Sequence, residues 1–122
     1  MSDVLLVGSN HVFRQALAII IDHHLSDCRI RGQVSTCTLA RKFLREDRDV
    51  DVAIIDVDER LGDPIDVVSQ LVRDRPGLAA LALLDAPQEE VVSQLCQAGV
   101  ALVLDKSASL EVVLEGIRQL RQ

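Results

Sequence analysis

The 122-residue chain has no Trp, no Tyr and only two Phe, so an aliphatic core is required. Its three cysteines, Cys28, Cys37 and Cys96, are odd in number and widely spaced, which argues against a disulfide framework or a zinc site. No apolar run approaches the ~20 residues of a membrane span. The net charge is −6 and the basic residues are scattered, which argues against a nucleic-acid-binding surface. We expect a cytoplasmic domain that does not itself bind membranes or nucleic acid.

Short apolar runs alternate with stretches of helical periodicity. The predicted strands are Val4–Val7, Arg29–Val34, Val52–Ile55, Leu78–Leu84 and Leu102–Leu104. The predicted helices run from Asn10 to about Leu25, over Thr36–Arg45, from Asp63-Pro64 to Arg75, from Pro87 to Ala98-Gly99, and from Ser109 onward. Nearly continuous apolar strands are typical of a sheet buried on both faces. The pattern predicts one α/β domain over 1–122, with a doubly wound parallel sheet and helices on each side.

Two charged residues follow predicted strands. Asp56 ends the run Val52–Ile55, and Lys106 follows Asp105 after the last strand. Carboxyl ends of parallel strands meet at one edge of a sheet, where such folds bind ligands. If these two strands are neighbours in the sheet, the Lys106 ammonium reaches the Asp56 carboxylate, and we take this pair as the candidate site.

Three blocks in order, 4–17, 51–57 and 97–106, resemble the receiver domains of two-component response regulators, most closely those of the LuxR/NarL type. The resemblance implies a flavodoxin-like sheet of order 2-1-3-4-5, with Asp56 as phosphoacceptor and Lys106 contacting the phosphoryl group. It also implies a sensor histidine kinase as phosphodonor and Mg²⁺ as cofactor. A DNA-binding output domain outside this chain is a further expectation, with the receiver acting in transcription regulation and not as an enzyme.

Several positions depart from that family pattern. Gly8 and Ser9 occupy the places of two acidic residues that hold Mg²⁺, which leaves Asp56, with Asp58 beside it, as a weak metal site. The hydroxyl residue that ends the fourth strand falls on Leu83 or Leu84, and the aromatic switch position falls on Val103. A ligand shifts a conformational equilibrium only through differential contacts. Phosphorylation would therefore lack its usual effect.

Three functional hypotheses follow. We favour an atypical receiver that acts through protein–protein contacts or dimerisation, with Mg²⁺ relevant only if phosphorylation is retained. The second hypothesis is a working phosphoacceptor, Asp56, with metal held by Asp56, Asp58 and water. The third is a sensor of a small anionic ligand at Gly8, Ser9 and Lys106.

Other residues give weaker signals. Consecutive apolar residues over 16–21 and around Leu110 exceed what one buried helix face needs, which predicts a homodimer through helix faces. The histidines His23 and His24 suit the end of a helix better than a metal site. Cys96 falls where the receiver family has an apolar helix residue, so the resemblance implies that it is a small core residue.

Overall fold

The computed structural model describes residues 2–58 and 64–120, and five strands alternate with five helices along them. The strands are β1 (Ser2–Val7), β2 (Cys28–Val34), β3 (Val52–Asp56), β4 (Ala79–Leu84) and β5 (Leu102–Asp105). The helices are α1 (His11–His24), α2 (Cys37–Glu46), α3 (Pro64–Asp74), α4 (Glu89–Gln97) and α5 (Leu110–Leu120). The predicted alternation is confirmed, with boundaries that differ by only a few residues.

The five strands form one parallel sheet in the order β2-β1-β3-β4-β5, as predicted. From β1 the chain crosses to β2 on one side, whereas β3, β4 and β5 are added on the other side. The loops after β1 and β3 therefore lead to opposite faces of the sheet and leave a crevice between them. Val7 pairs with Ile55, and Asp56 pairs with Leu83 on the other side. Leu84 pairs in turn with Asp105, which brings the ends of β1, β3, β4 and β5 to one edge.

Alternating strand residues bury side chains on opposite faces of the sheet. One core lies under α2, α3 and α4 and includes Leu5, Ile55 and Leu95. The other lies under α1 and α5 and includes Ile21 and Ile117. Both cores are aliphatic, because the two phenylalanines only pack at their margins. The sheet is therefore covered on both faces, as the apolar strands predict.

Local signals place the helix ends. Asn10 caps α1 by accepting a hydrogen bond from the Phe13 N–H at 3.0 Å, and Ser109 accepts from the Val112 N–H at 3.4 Å. Gly99 ends α4 at φ +110°, a left-handed conformation that favours glycine. The cap predicted at Asp63 lies outside the described residues.

One prediction about the core was wrong. Cys96 is exposed, whereas its neighbour Leu95 is fully buried. Successive helix residues differ by about 100° in direction, so only one of this pair can face the sheet. Among the described helices, none has the length and apolarity to cross a membrane.

Candidate functional site

Asp56 lies at the carboxyl end of β3, directly against the turn that follows β1. A Cβ atom added to Gly8 would lie 2.8 Å from the Asp56 Cβ and 3.3 Å from its Oδ2. Glycine is therefore required for the two strand ends to approach this closely. In the family pattern an acidic residue stands at the position of Gly8. The structure shows that the absence of a side chain at this position makes room for Asp56.

The Gly8 turn is held from both sides. Its N–H donates to the Val34 carbonyl of β2 at 3.0 Å. Its carbonyl accepts a hydrogen bond from the guanidinium of Arg14 on α1. Arg14 also donates to Gln33 and contacts the ring of His11. Sequence reasoning missed this role of Arg14, because no local pattern in α1 indicates that its side chain bonds the carbonyl of Gly8, six residues earlier.

Lys106 reaches Asp56 across β4, as the strand order predicts. Its Nζ lies 2.6 Å from Asp56 Oδ1 and donates a 2.9 Å hydrogen bond to the Val57 carbonyl. The Lys106 N–H also donates to the Leu84 carbonyl at 2.8 Å, so its backbone is fixed to β4. The next turn is held by Asp105, which accepts from the Ser107 N–H and hydroxyl, both at 2.9 Å. These two bonds lower the pKa of Asp105.

The Asp56–Lys106 pair is mostly buried, with 12 % of the Asp56 side chain and 20 % of the Lys106 side chain exposed. Asp56 Oδ1 is enclosed, and no group among the described residues donates a hydrogen bond to it. The short contact with Nζ is therefore an ion pair whose alignment falls outside the hydrogen-bond range. Lys106 therefore compensates the charge of Asp56, but Asp56 Oδ1 does not receive a well-aligned hydrogen bond from the described residues.

An open cleft of about 920 Å³ lies over the pair. It is lined by Ser9, Asn10, Phe13, Asp56, Val57, Asp58, Asp85, Lys106 and Ser107. Asp85 follows β4 and places a carboxylate oxygen 3.9 Å from Lys106 Nζ, with 85 % of its side chain exposed. Sequence reasoning missed Asp85. Its carboxylate adds negative charge at the mouth of the cleft.

The two alternatives for the family's hydroxyl position, Leu83 and Leu84, are both buried. Leu83 packs in the core under α1 and α5, and Leu84 packs in the opposite core. Val103 is half-buried against the core under α2, α3 and α4. None of the three lines the cleft.

A smaller cavity of about 220 Å³ lies on the other side of Asp56, at the start of α2. Hydroxyl residues Ser9, Ser35 and Thr36 line it together with Cys37. Burial raises the pKa of the Cys37 thiol, so Cys37 is a poor nucleophile here.

A narrow apolar groove of about 200 Å³ runs between α1 and α5. We name it the α1–α5 groove. It is lined by Phe13, Ala16, Leu17, Ile20, Leu83, Lys106, Ala108, Leu110 and Val113. Phe13 and Lys106 also line the cleft, so the two hollows share a wall.

Structural comparison shows which proteins share this architecture. The chain is similar to a LuxR-family DNA-binding response regulator from Silicibacter pomeroyi, with a TM-score of 0.82 and 25 % identity over 98 % of this chain and 90 % of that one. It is also similar to a LuxR-family DNA-binding response regulator from Staphylococcus aureus, with a TM-score of 0.84 and 17 % identity over 100 % of each chain. This is the receiver fold. A third receiver, the beryllofluoride-activated dimer of NtrC4, matches with a TM-score of 0.82 and 19 % identity over 98 % of this chain and 96 % of that one.

Sequence searches add nothing to the structural likeness. Scanning protein-family models and searching curated proteins both gave no match. The structural neighbours include receivers of response regulators, LuxR-family members among them, and the chain has the five-stranded topology of the receiver fold. Against the family pattern set out in the sequence analysis, Gly8 and Ser9 stand at the places of two acidic residues, and in this chain Lys106 contacts Asp56 directly.

Proposed function

We propose that this chain is an atypical receiver, a regulatory rather than catalytic module that works through protein contacts with little dependence on phosphate. One observation carries the proposal. The Lys106 ammonium lies directly on Asp56 Oδ1 and the Val57 carbonyl, so a cation of the protein itself compensates the carboxylate. In a transcription regulator, such a module would act in the cytoplasm on an attached or associated DNA-binding domain.

The donor set does not suit Mg²⁺. Magnesium requires near-octahedral oxygen ligands, and proteins usually supply one or two carboxylates. Position 8 has no room for a carboxylate beside Asp56, and Ser9 offers only a hydroxyl. Within 2–58 and 64–120, no cluster of three acidic, histidine or cysteine side chains is arranged to hold a metal ion. We infer that Mg²⁺ binds weakly at this cleft.

Incubation with Mg²⁺ and acetyl phosphate, followed by intact mass, tests the proposal. We expect no stoichiometric phosphoryl adduct, because little stabilises the charge that develops during transfer. The matched control is Asp56→Asn under the same conditions. A stoichiometric adduct on the wild type that disappears in this variant would establish the alternative, a working phosphoacceptor served by a sensor histidine kinase.

The anion-sensor hypothesis has less support. Among the described residues that line the cleft, Asp56 and Asp85 both place carboxylate oxygens within 4 Å of the Lys106 ammonium, at 2.6 and 3.9 Å. Like charges disfavour a bound anion. A thermal upshift with inorganic phosphate that is lost in Lys106→Met would revive this hypothesis.

The partner we propose is a second copy, which contacts the α1–α5 face. This face comprises the α1–α5 groove and the exposed apolar stripe beside it on α1. Val12 and Ile19 are 76 % and 70 % exposed, and Ala16 lies between them at helical spacing. Exposed apolar residues that adjoin an apolar groove are typical of an interaction site.

Apolar self-complementarity favours a second copy over an unrelated partner, because the α1–α5 face carries both an exposed apolar stripe and an apolar groove beside it. A two-fold axis that places α1 of each copy on α5 of the other forms this contact twice.

Ile19→Glu should weaken self-association at least tenfold, or about 1.4 kcal/mol, because the interface would have to bury a new charge. Leu39→Glu is the matched control. Leu39 is 46 % exposed on α2, on the opposite side of the sheet. Its backbone N–H donates to the Thr36 hydroxyl, a bond that a side-chain substitution leaves in place. Sedimentation velocity over a concentration series measures both. Equal effects of the two substitutions, or a wild type that stays monomeric at high concentration, would contradict the proposed partner.

A further inference from the structure

We propose that Lys106 couples the cleft to the α1–α5 face, so that whatever draws its ammonium away from Asp56 weakens pairing at that face. This inference rests on the proposed function, because it names how the interaction surface would be regulated. The observation behind it is that one residue, Lys106, lines both hollows. The Lys106 ammonium faces Asp56 in the cleft, and the same residue forms part of the apolar α1–α5 groove.

The anchoring of Lys106 defines one state. Its backbone N–H is bonded to Leu84, and its Nζ is held by Asp56 and the Val57 carbonyl. A lysine fixed at both ends holds its four-carbon stem in one place, where the methylenes can serve as apolar wall. Phe13 stands beside it in both hollows, so α1 contacts the same junction.

Release of the ammonium defines the other state. Without the Asp56 charge, Nζ retains the Val57 carbonyl and has the exposed Asp85 carboxylate 3.9 Å away. An ammonium that has lost its counter-charge, on a residue that also lines the apolar groove, is a charge that pairing must desolvate, which costs affinity. Leu83, Leu84 and Val103, which stand where the family pattern has a hydroxyl and an aromatic ring, do not line the cleft, whereas Lys106 does.

The chemistry that draws Lys106 away is a competing cation on Asp56. Oδ1 is enclosed, has no hydrogen-bond donor among the described residues, and is offset by an imperfectly aligned ammonium. A guanidinium from a partner protein would approach Asp56 from the cleft, where 12 % of its side chain is exposed, and would compete with Lys106 for the carboxylate charge. The cleft mouth, with Asp85 exposed, favours entry of such a positive group.

Asp56→Asn isolates the coupling, because Asp56 lines the cleft but not the α1–α5 groove. We expect changed methyl NMR shifts at Leu17, Ile20 and Leu110, and self-association weakened at least fivefold. Asp85→Asn is the matched control, since it removes a carboxylate from the same cleft without touching the 2.6 Å contact. It should leave the groove methyl shifts unchanged and self-association within twofold of wild type.

A second variant sharpens the test. The double variant Asp56→Asn, Lys106→Met keeps an apolar side chain at position 106 and has no ammonium to release. Its self-association should therefore return to within twofold of wild type. Groove methyl shifts that are the same in wild type and Asp56→Asn would overturn the coupling, even if the protein pairs as proposed. A wild type that never self-associates would overturn the proposed partner, while the methyl shifts would still decide the coupling.

Discussion

Lys106→Met should lower the free energy of unfolding by about 2 kcal/mol, and by more than Asp56→Asn does. Removing one partner of a fully buried ion pair typically costs about 3 to 5 kcal/mol, and residual solvent contact reduces that figure here. Lys106→Met leaves a carboxylate whose Oδ1 is enclosed and has no hydrogen-bond donor among the described residues. Asp56→Asn instead leaves an ammonium that keeps the Val57 carbonyl and reaches water, so we expect a loss of about 1 kcal/mol or less.

A double-mutant cycle measures the pair itself. Combined with Lys106→Met, Asp56→Asn should restore stability, because the amide needs no counter-charge. Urea unfolding at neutral pH gives the four free energies. Equal and additive losses from the two single substitutions would show that the contact contributes nothing, and would remove the observation on which the proposed function rests.

The architecture follows from alternation in the sequence. Four aliphatic runs of three to seven residues and the more polar run Arg29–Val34 alternate with helical stretches that have Asn10, Ser109 and Gly99 at their ends. This alternation permits few arrangements other than a parallel sheet with helices on both faces. The Asp56–Lys106 contact was predictable for the same reason. Once β3 and β5 flank β4, the residues that follow them lie at one edge of the sheet.

Asp85 was missed although its signal matches that of Asp56. Both are carboxylates that directly follow an aliphatic strand. The family pattern directed attention to a hydroxyl at Leu83 or Leu84, so the next residue was not considered. Cys96 was misplaced for a related reason. A family position was used where the helical period already assigned the inward direction to Leu95.

The close approach of Gly8 to Asp56 could not be predicted from the sequence. Glycine after a strand indicates a turn, and its absence of a side chain was interpreted only as a missing metal ligand. Distances between strand ends depend on register and twist, which no local pattern specifies. The structure changes the meaning of this residue, because restoring the carboxylate there conflicts with the position of Asp56.

Gly8→Asp should therefore destabilise the protein by about 2 kcal/mol without creating a magnesium site. Its Cβ would have to lie 2.8 Å from the Asp56 Cβ, so a strand end must shift, and overpacking of this kind costs about 1 to 3 kcal/mol. It would also add a second negative charge beside Asp56, which has only Lys106 within ion-pair distance among the described residues. Urea unfolding measures the loss, and Gly8→Ala separates the steric part from the charge.

Ser9→Asp is the matched substitution at the neighbouring position. Ser9 is exposed and lines the cleft beside Asp56, so an added carboxylate has room and faces the oxygens that a metal would use. We expect near-wild-type stability and a Mg²⁺ affinity raised at least tenfold, measured by titration calorimetry, because the substitution places a further carboxylate beside Asp56. A Gly8→Asp variant as stable as wild type, with the greater gain in Mg²⁺ affinity, would show that the close packing of Gly8 on Asp56 is not what keeps the metal out.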